Sequence, residues 1–139
     1  MIRQKIYIDR YDWIVHCFFA AKPTDATEIL AKLVLLGINK EEFYRASEHL
    51  HSSDANGGMT YSSRIRRESV VVFGHASSSK EALNTFTHEL RHLADDICSS
   101  SDIPCSGEPV AYLTGDISMQ LAANLLHIVC ECPLCKNGS

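Results

Sequence analysis

Residues 78–98 read SSKEALNTFTHELRHLADDIC. Ser78-Ser79-Lys80-Glu81 has the form of a capping box, which predicts a helix from near Ser79 to about Cys98, ahead of the serine-rich stretch Ser99 to Ser101. At about 100° per residue, counted from His88, the residues Leu83, Phe86, Leu90, Leu93 and Ile97 fall within about 140–220°. His88, His92 and Asp95 fall on the opposite side, with Glu89 and Asp96 at about 80–100°. One stripe is therefore core, and the other is a polar face carrying two imidazoles four residues apart with a carboxylate between them. Random placement in a chain of 139 residues with 7 histidines gives about 0.02 occurrences of this pattern.

Two histidines on one helical face lie within reach of a single Zn²⁺, and the glutamate projects beside the place of a metal-bound water. A mononuclear hydrolytic zinc takes three protein ligands and keeps a fourth position for water. The best third ligand is Glu108. It opens a second predicted helix, Gly107-Glu108-Pro109-Val110-Ala111-Tyr112-Leu113, in which Ser106 can cap and Pro109 is tolerated in the first turn. On that helix Val110, Leu113, Ile117, Leu121 and Leu125 form the apolar stripe, while Tyr112, Gly115, Asp116 and Met119 share the Glu108 side. Asp95 or Asp96 is a candidate to accept the outer imidazole hydrogen of one histidine, and Asp116 that of the other.

Residues 75–125 resemble the core of the gluzincin metallopeptidases, in which a two-histidine helix is followed by a glutamate ligand on the next helix. The run from His88 through Glu108-Pro109-Val110-Ala111-Tyr112 is also similar to the small ImmA/IrrE type of regulatory metallopeptidase and to compact zincins of gut bacteria and their phages. The resemblance implies a zincin-like fold, His88, His92 and Glu108 as zinc ligands, Glu89 as general base and a peptide or protein substrate. It covers about a third of the chain, and the sequence departs from it at two places. Arg91 stands where these families often have glycine, and Tyr112 replaces the usual aspartate four residues after the ligand glutamate. By the same resemblance the strand before the metal helix, Ser69 to Phe73, has a free edge that pairs with the substrate, a mode in which strand addition grips a peptide. Tyr112 is then either an oxyanion donor or a cleft-wall residue, and His75 is a weaker candidate for the donor role.

The remaining chain suits one α+β domain spanning 1–139, with sheet and supporting helices over 1–74, metal-site helices over 75–126 and a cysteine-rich tail over 127–139. The sheet is expected to be small and mostly antiparallel, with about four helices. Strands are predicted at Ile6 to Ile8 and Trp13 to Phe19 around an Asp9–Asp12 turn, then at Met59 to Ser63 and Ser69 to Phe73 after a turn at Asp54–Gly58. Helices are predicted from Thr24 or Asp25 to Leu36 and from Asn39 to about His51, with Leu30, Leu33, Val34, Phe43, Ala46 and Leu50 as core. His49 and His51 complement the dipole at the end of the second helix.

A net charge of −4 and pI near 5.9 argue against a nucleic-acid surface, and Arg64-Ile65-Arg66-Arg67 reads as a solvated turn. The N-terminus shows no secretory signal, and Trp13 to Ala21 is too short to span a membrane, so a cytoplasmic location is expected and the six cysteines are read mostly as thiols. Cys98 and Cys105 are free thiols on that reading, with a bridge or metal ligation as alternatives. His127, Cys130, Cys132 and Cys135 have the spacing of a possible second, structural zinc site. The competing functional class is a non-catalytic binding or regulatory protein that keeps the scaffold, with or without a structural zinc.

Overall fold

The computed structural model describes residues 1–52 and 57–130. It is α+β. Strand β1 (Ile2–Ile8) turns through a 3-10 segment at Asp9–Tyr11 into β2 (Trp13–Ala21), and Asp12 closes the corner with φ 49°. A short polar side chain tolerates this left-handed backbone. Helices α1 (Ala26–Leu35) and α2 (Lys40–His51) follow, then the hairpin β3 (Gly58–Ser63) and β4 (Glu68–Gly74), and finally α3 (Ser79–Ser100) and α4 (Glu108–Val129). The sheet order is β1-β2-β4-β3, with β2 and β4 parallel and the two outer pairs antiparallel. The crossover from β2 to β4 runs through α1, α2 and β3.

The two central strands are apolar on successive positions because each face of the sheet is covered. Phe18, Val70 and Val72 pack under Ile29, Leu30, Leu33 and Leu50 of α1 and α2. Val15, Phe19, Val71 and Phe73 pack under Phe86, Leu90, Leu93 and Ile97 of α3 and Leu113, Ile117 and Leu121 of α4. Two expected core residues lie outside: Val34 is 58% exposed and Leu83 51% exposed. Val34 sits one step round the helix beyond the stripe that α1 buries. On α3 the buried arc is rotated toward Glu89, because β3 lies on that flank, and Ala82 is buried where Leu83 was expected.

The caps follow local chemistry. Asn39 Oδ1 accepts the Glu42 N–H at 2.8 Å and Ser78 Oγ accepts that of Glu81 at 3.2 Å. Glu81 does not complete a capping box; its carboxylate accepts from the backbone and hydroxyl of Ser77. Helix α4 begins after Gly107, at φ 75°, rather than with a Ser106 cap. At the end of α2 the His51 Nδ1–H donates to Ser47 O at 2.8 Å. Among the described residues no helix is long and apolar enough to cross a membrane.

The basic turn is more than a solvated one. Ile65 is 97% exposed, but Arg64 donates to Ser99 O at 2.6 Å and Arg67 is a strut. Its guanidinium donates to the carbonyls of Tyr11, Asp12 and Ser100 and to Ser101 Oγ, and lies 5.2 Å from the centroid of the Trp13 ring. It thus ties the β1–β2 corner to the end of α3. Charged donors serving several carbonyls contribute more than neutral ones. Arg67→Ala is expected to lower the unfolding free energy by about 2–3 kcal/mol in urea denaturation; a loss under about 0.5 kcal/mol would show the strut to be dispensable.

Candidate metal centre

His88 and His92 stand on the solvent side of α3, and their Nε2 atoms face each other at 3.1 Å. The rings are 4.7 Å apart at 75° to one another. Two imidazole lone pairs aimed at each other repel, so this approach requires a proton or a cation between them. Two imidazoles on one tetrahedral zinc, with bonds of about 2.05 Å, have their nitrogens about 3.3 Å apart. The pair therefore fits a zinc chelate as well as it fits a shared hydrogen.

Glu89 is only 5% exposed, more enclosed than its place on the polar arc suggests. Strand β3 causes this. Its alternate residues Gly58, Thr60 and Ser62 face the Thr85, Glu89 and Asp96 flank of α3. Thr60 Oγ1 donates to Glu89 Oε1 at 2.9 Å, and a Cβ on Gly58 would meet Glu89 Cγ at 2.8 Å and Val72 O at 2.2 Å. The backbone thus presses onto the glutamate stem while the threonine hydroxyl fixes its carboxylate.

The aspartates expected behind the histidines are engaged elsewhere. Asp96 Oδ2 accepts from Ser62 Oγ at 2.7 Å, Ser62 accepts from Ser69 at 2.7 Å, and Ser69 accepts from Trp13 Nε1 at 2.9 Å. All four groups are satisfied in one direction, which keys α3 to the sheet interior. Asp95 pairs with Arg91, whose Nε is 3.0 Å from its carboxylate oxygens, although Oδ1 is buried without a hydrogen-bond partner. Arg91 also donates to Cys105 O at 3.1 Å, tying the connection before α4 to the side of α3 next to the histidines.

Glu108, Tyr112 and Asp116 lie on the exposed side of α4 as expected, with Tyr112 62% exposed. Among the described residues no three of His, Cys, Asp and Glu converge as a metal-binding group, so neither Glu108 nor Asp116 completes a site with His88 and His92. No protein-family model matches the chain, and no curated protein or solved structure matches it. His75 is exposed, with its N–H given to Ala21 O at 2.8 Å. Cys98 and Cys105 are free thiols, and burial, reinforced by Cys105, pushes the Cys98 thiol up. His127 and Cys130 end α4, whereas Cys132 and Cys135 lie outside the described residues.

One expectation about the sheet is corrected. The strand before α3 is β4, and it is internal, paired with β2 on one side and β3 on the other. The open edge next to α3 belongs to β3. The parts that sequence reasoning missed, Thr60 and Gly58, carry a faint signal: small and hydroxyl residues on every second position of a strand must face something polar or very close.

Proposed function

We propose that the chain is a zinc-dependent hydrolase of zincin-like architecture, a metallopeptidase acting on an extended peptide or protein segment. The observation that carries this reading is the 3.1 Å facing of the His88 and His92 Nε2 atoms beside a carboxylate held by Thr60. His88 and His92 would hold the ion; the resemblance implies Glu108 as third donor, although among the described residues it does not converge with them. A bound zinc would supply an acidified water and polarise the scissile carbonyl. Glu89 takes the proton from the attacking water and passes it to the leaving nitrogen. The hydrogen bond from Thr60 fixes where Oε1 points. The open edge of β3 aligns the substrate by main-chain pairing, and Tyr112 is the candidate donor to the developing oxyanion. The reading carries a cytoplasmic site of action and no nucleic-acid partner.

A second reading, a non-catalytic binding or regulatory protein on the same scaffold, is favoured by the absence of a converging third ligand among the described residues. Native mass spectrometry after zinc reconstitution tests the metal site, and zinc-dependent cleavage of a peptide library separates the two readings. The expected result is one zinc per chain, with affinity weakened by more than about a hundredfold in His92→Ala, beyond the range for losing a merely supporting group. A chain that takes up no zinc, or a His92→Ala variant that keeps it, sinks the hydrolase reading.

A further inference from the structure

Strand β3 presents its two faces to different places. Gly58, Thr60 and Ser62 look toward the Thr85, Glu89 and Asp96 flank of α3, whereas Met59 and Tyr61 look toward α2, where they help enclose a groove of about 290 Å³. Its floor is Ile38, Ala46, Met59 and Tyr61, and its rim carries the opposite charges Glu42 and Arg45. Between the two faces runs the open edge. Gly74 gives its N–H to Gly57 O at 3.0 Å, so the alternation of an antiparallel ladder puts Met59, Tyr61 and Ser63 in hydrogen-bonded pairs with β4. The N–H and C=O groups of Gly58, Thr60 and Ser62 then point outward, and no hydrogen bond among the described residues occupies them.

We infer that the groove between α2 and β3 is a specificity pocket: an extended peptide paired with the β3 edge sends one apolar side chain into it and the two neighbouring side chains toward His88 and His92. This rests on the reading of the chain as a peptidase that grips its substrate on β3. Backbone pairing gives affinity without sequence preference, so selectivity falls to the pockets that take alternate side chains. The apolar floor selects an aliphatic or aromatic residue. Burial and then the negative charge of Glu42 push the Tyr61 phenol up, so it stays protonated and neutral at the pocket wall. Glu42 and Arg45 carry opposite charges, so the two together offer no net pull on a lysine or a glutamate.

Selection of a randomised, proline-free peptide library on the immobilised zinc-free full chain tests the pocket without requiring catalysis. The parent is expected to enrich peptides with Leu, Met or Phe at one fixed position. Ala46→Leu narrows the groove and should lower the enrichment of Phe there about tenfold, whereas Tyr61→Ala widens it and should shift preference toward larger residues. Preferences at the flanking positions should not move in either variant. Because the two substitutions act in opposite senses, either one that folds decides the matter. No enrichment by the parent, or an unchanged preference in the variants, overturns the pocket. Zinc-dependent cleavage of the enriched peptides is scored separately: its absence alongside an intact size swap overturns the hydrolase reading and leaves a peptide-binding groove.

Discussion

Glu89→Gln is expected to keep the zinc stoichiometry and fold of the parent while lowering kcat by about 10²–10⁴-fold, the usual contribution of a positioned general base. The substitution is nearly isosteric, which matters because Glu89 is 5% exposed and its stem is pressed by Gly58. The amide oxygen still accepts from Thr60 Oγ1, so the β3–α3 seam survives, while the proton acceptor does not. Because the threonine hydrogen bond is retained, stability is expected to stay near that of the parent. Cleavage of a peptide library in the presence of zinc, followed by mass spectrometry, measures the loss, and urea denaturation checks that stability is unchanged. A Gln variant as active as the parent would remove Glu89 from the chemistry. A variant that is inactive because it unfolds would instead show the side chain to be structural.

Most of the fold is legible in the chain because its local signals agree with its tertiary outcome. The Asn39 cap, the Ser78 cap and the stop at Gly37 place helix ends within a residue or two, and the apolar runs Trp13 to Phe19 and Ser69 to Phe73 are strands in the structure. What is not legible is strand order. Nothing in Ser69–Phe73 alone distinguishes an edge strand from an inner one except its unbroken apolarity, which is the mark of burial on both faces. The expectation of a free edge there came from likeness rather than from those residues, and the β3 pairing overturns it. The same gap explains Glu89. Helical periodicity places it between core and polar arcs, and only β3, whose Thr60 lies 29 residues before Glu89, turns that flank inward. Arg67 is a further case: a basic run near a turn carries no sequence mark of the three carbonyls that one of its members will reach.

The aspartates show how a helix face is divided by what packs on each flank. Asp96, on the Glu89 flank, meets Ser62 and becomes part of a buried hydroxyl chain to Trp13, whereas Asp95, one residue earlier, turns to Arg91. Between these two fastened flanks the histidines remain exposed. A face with ordered supports on both sides and two facing imidazoles at its centre is held in register by groups that take no part in metal binding, which is how a site is made stiff.

That stiffness makes Gly58 the position with the largest expected effect on stability. A Cβ there would sit 2.2 Å from Val72 O, 2.8 Å from Glu89 Cγ and 3.0 Å from Thr85 Cγ2. The first of these is backbone in an inner strand and cannot rotate away, so the hairpin itself must shift. Forced overpacking of this kind costs about 1–3 kcal/mol and occasionally more, a large share of the roughly 5–15 kcal/mol that holds a domain together. Gly58→Ala is therefore expected to lose about 3 kcal/mol in urea denaturation. Gly57→Ala is the matched control, since its Cβ would meet only His49 Cε1 at 3.8 Å, an ordinary contact, and it should stay within about 0.5 kcal/mol of the parent. Any Gly58→Ala protein that still folds carries a displaced β3, and Thr60 moves off Glu89 with it. Peptide cleavage in that variant should fall while zinc binding by His88 and His92, which hang from α3 alone, persists. Equal urea midpoints for the two alanine variants would mean that the hairpin does not rest on α3 in the way described, and the enclosure of Glu89 would have to be explained by something else.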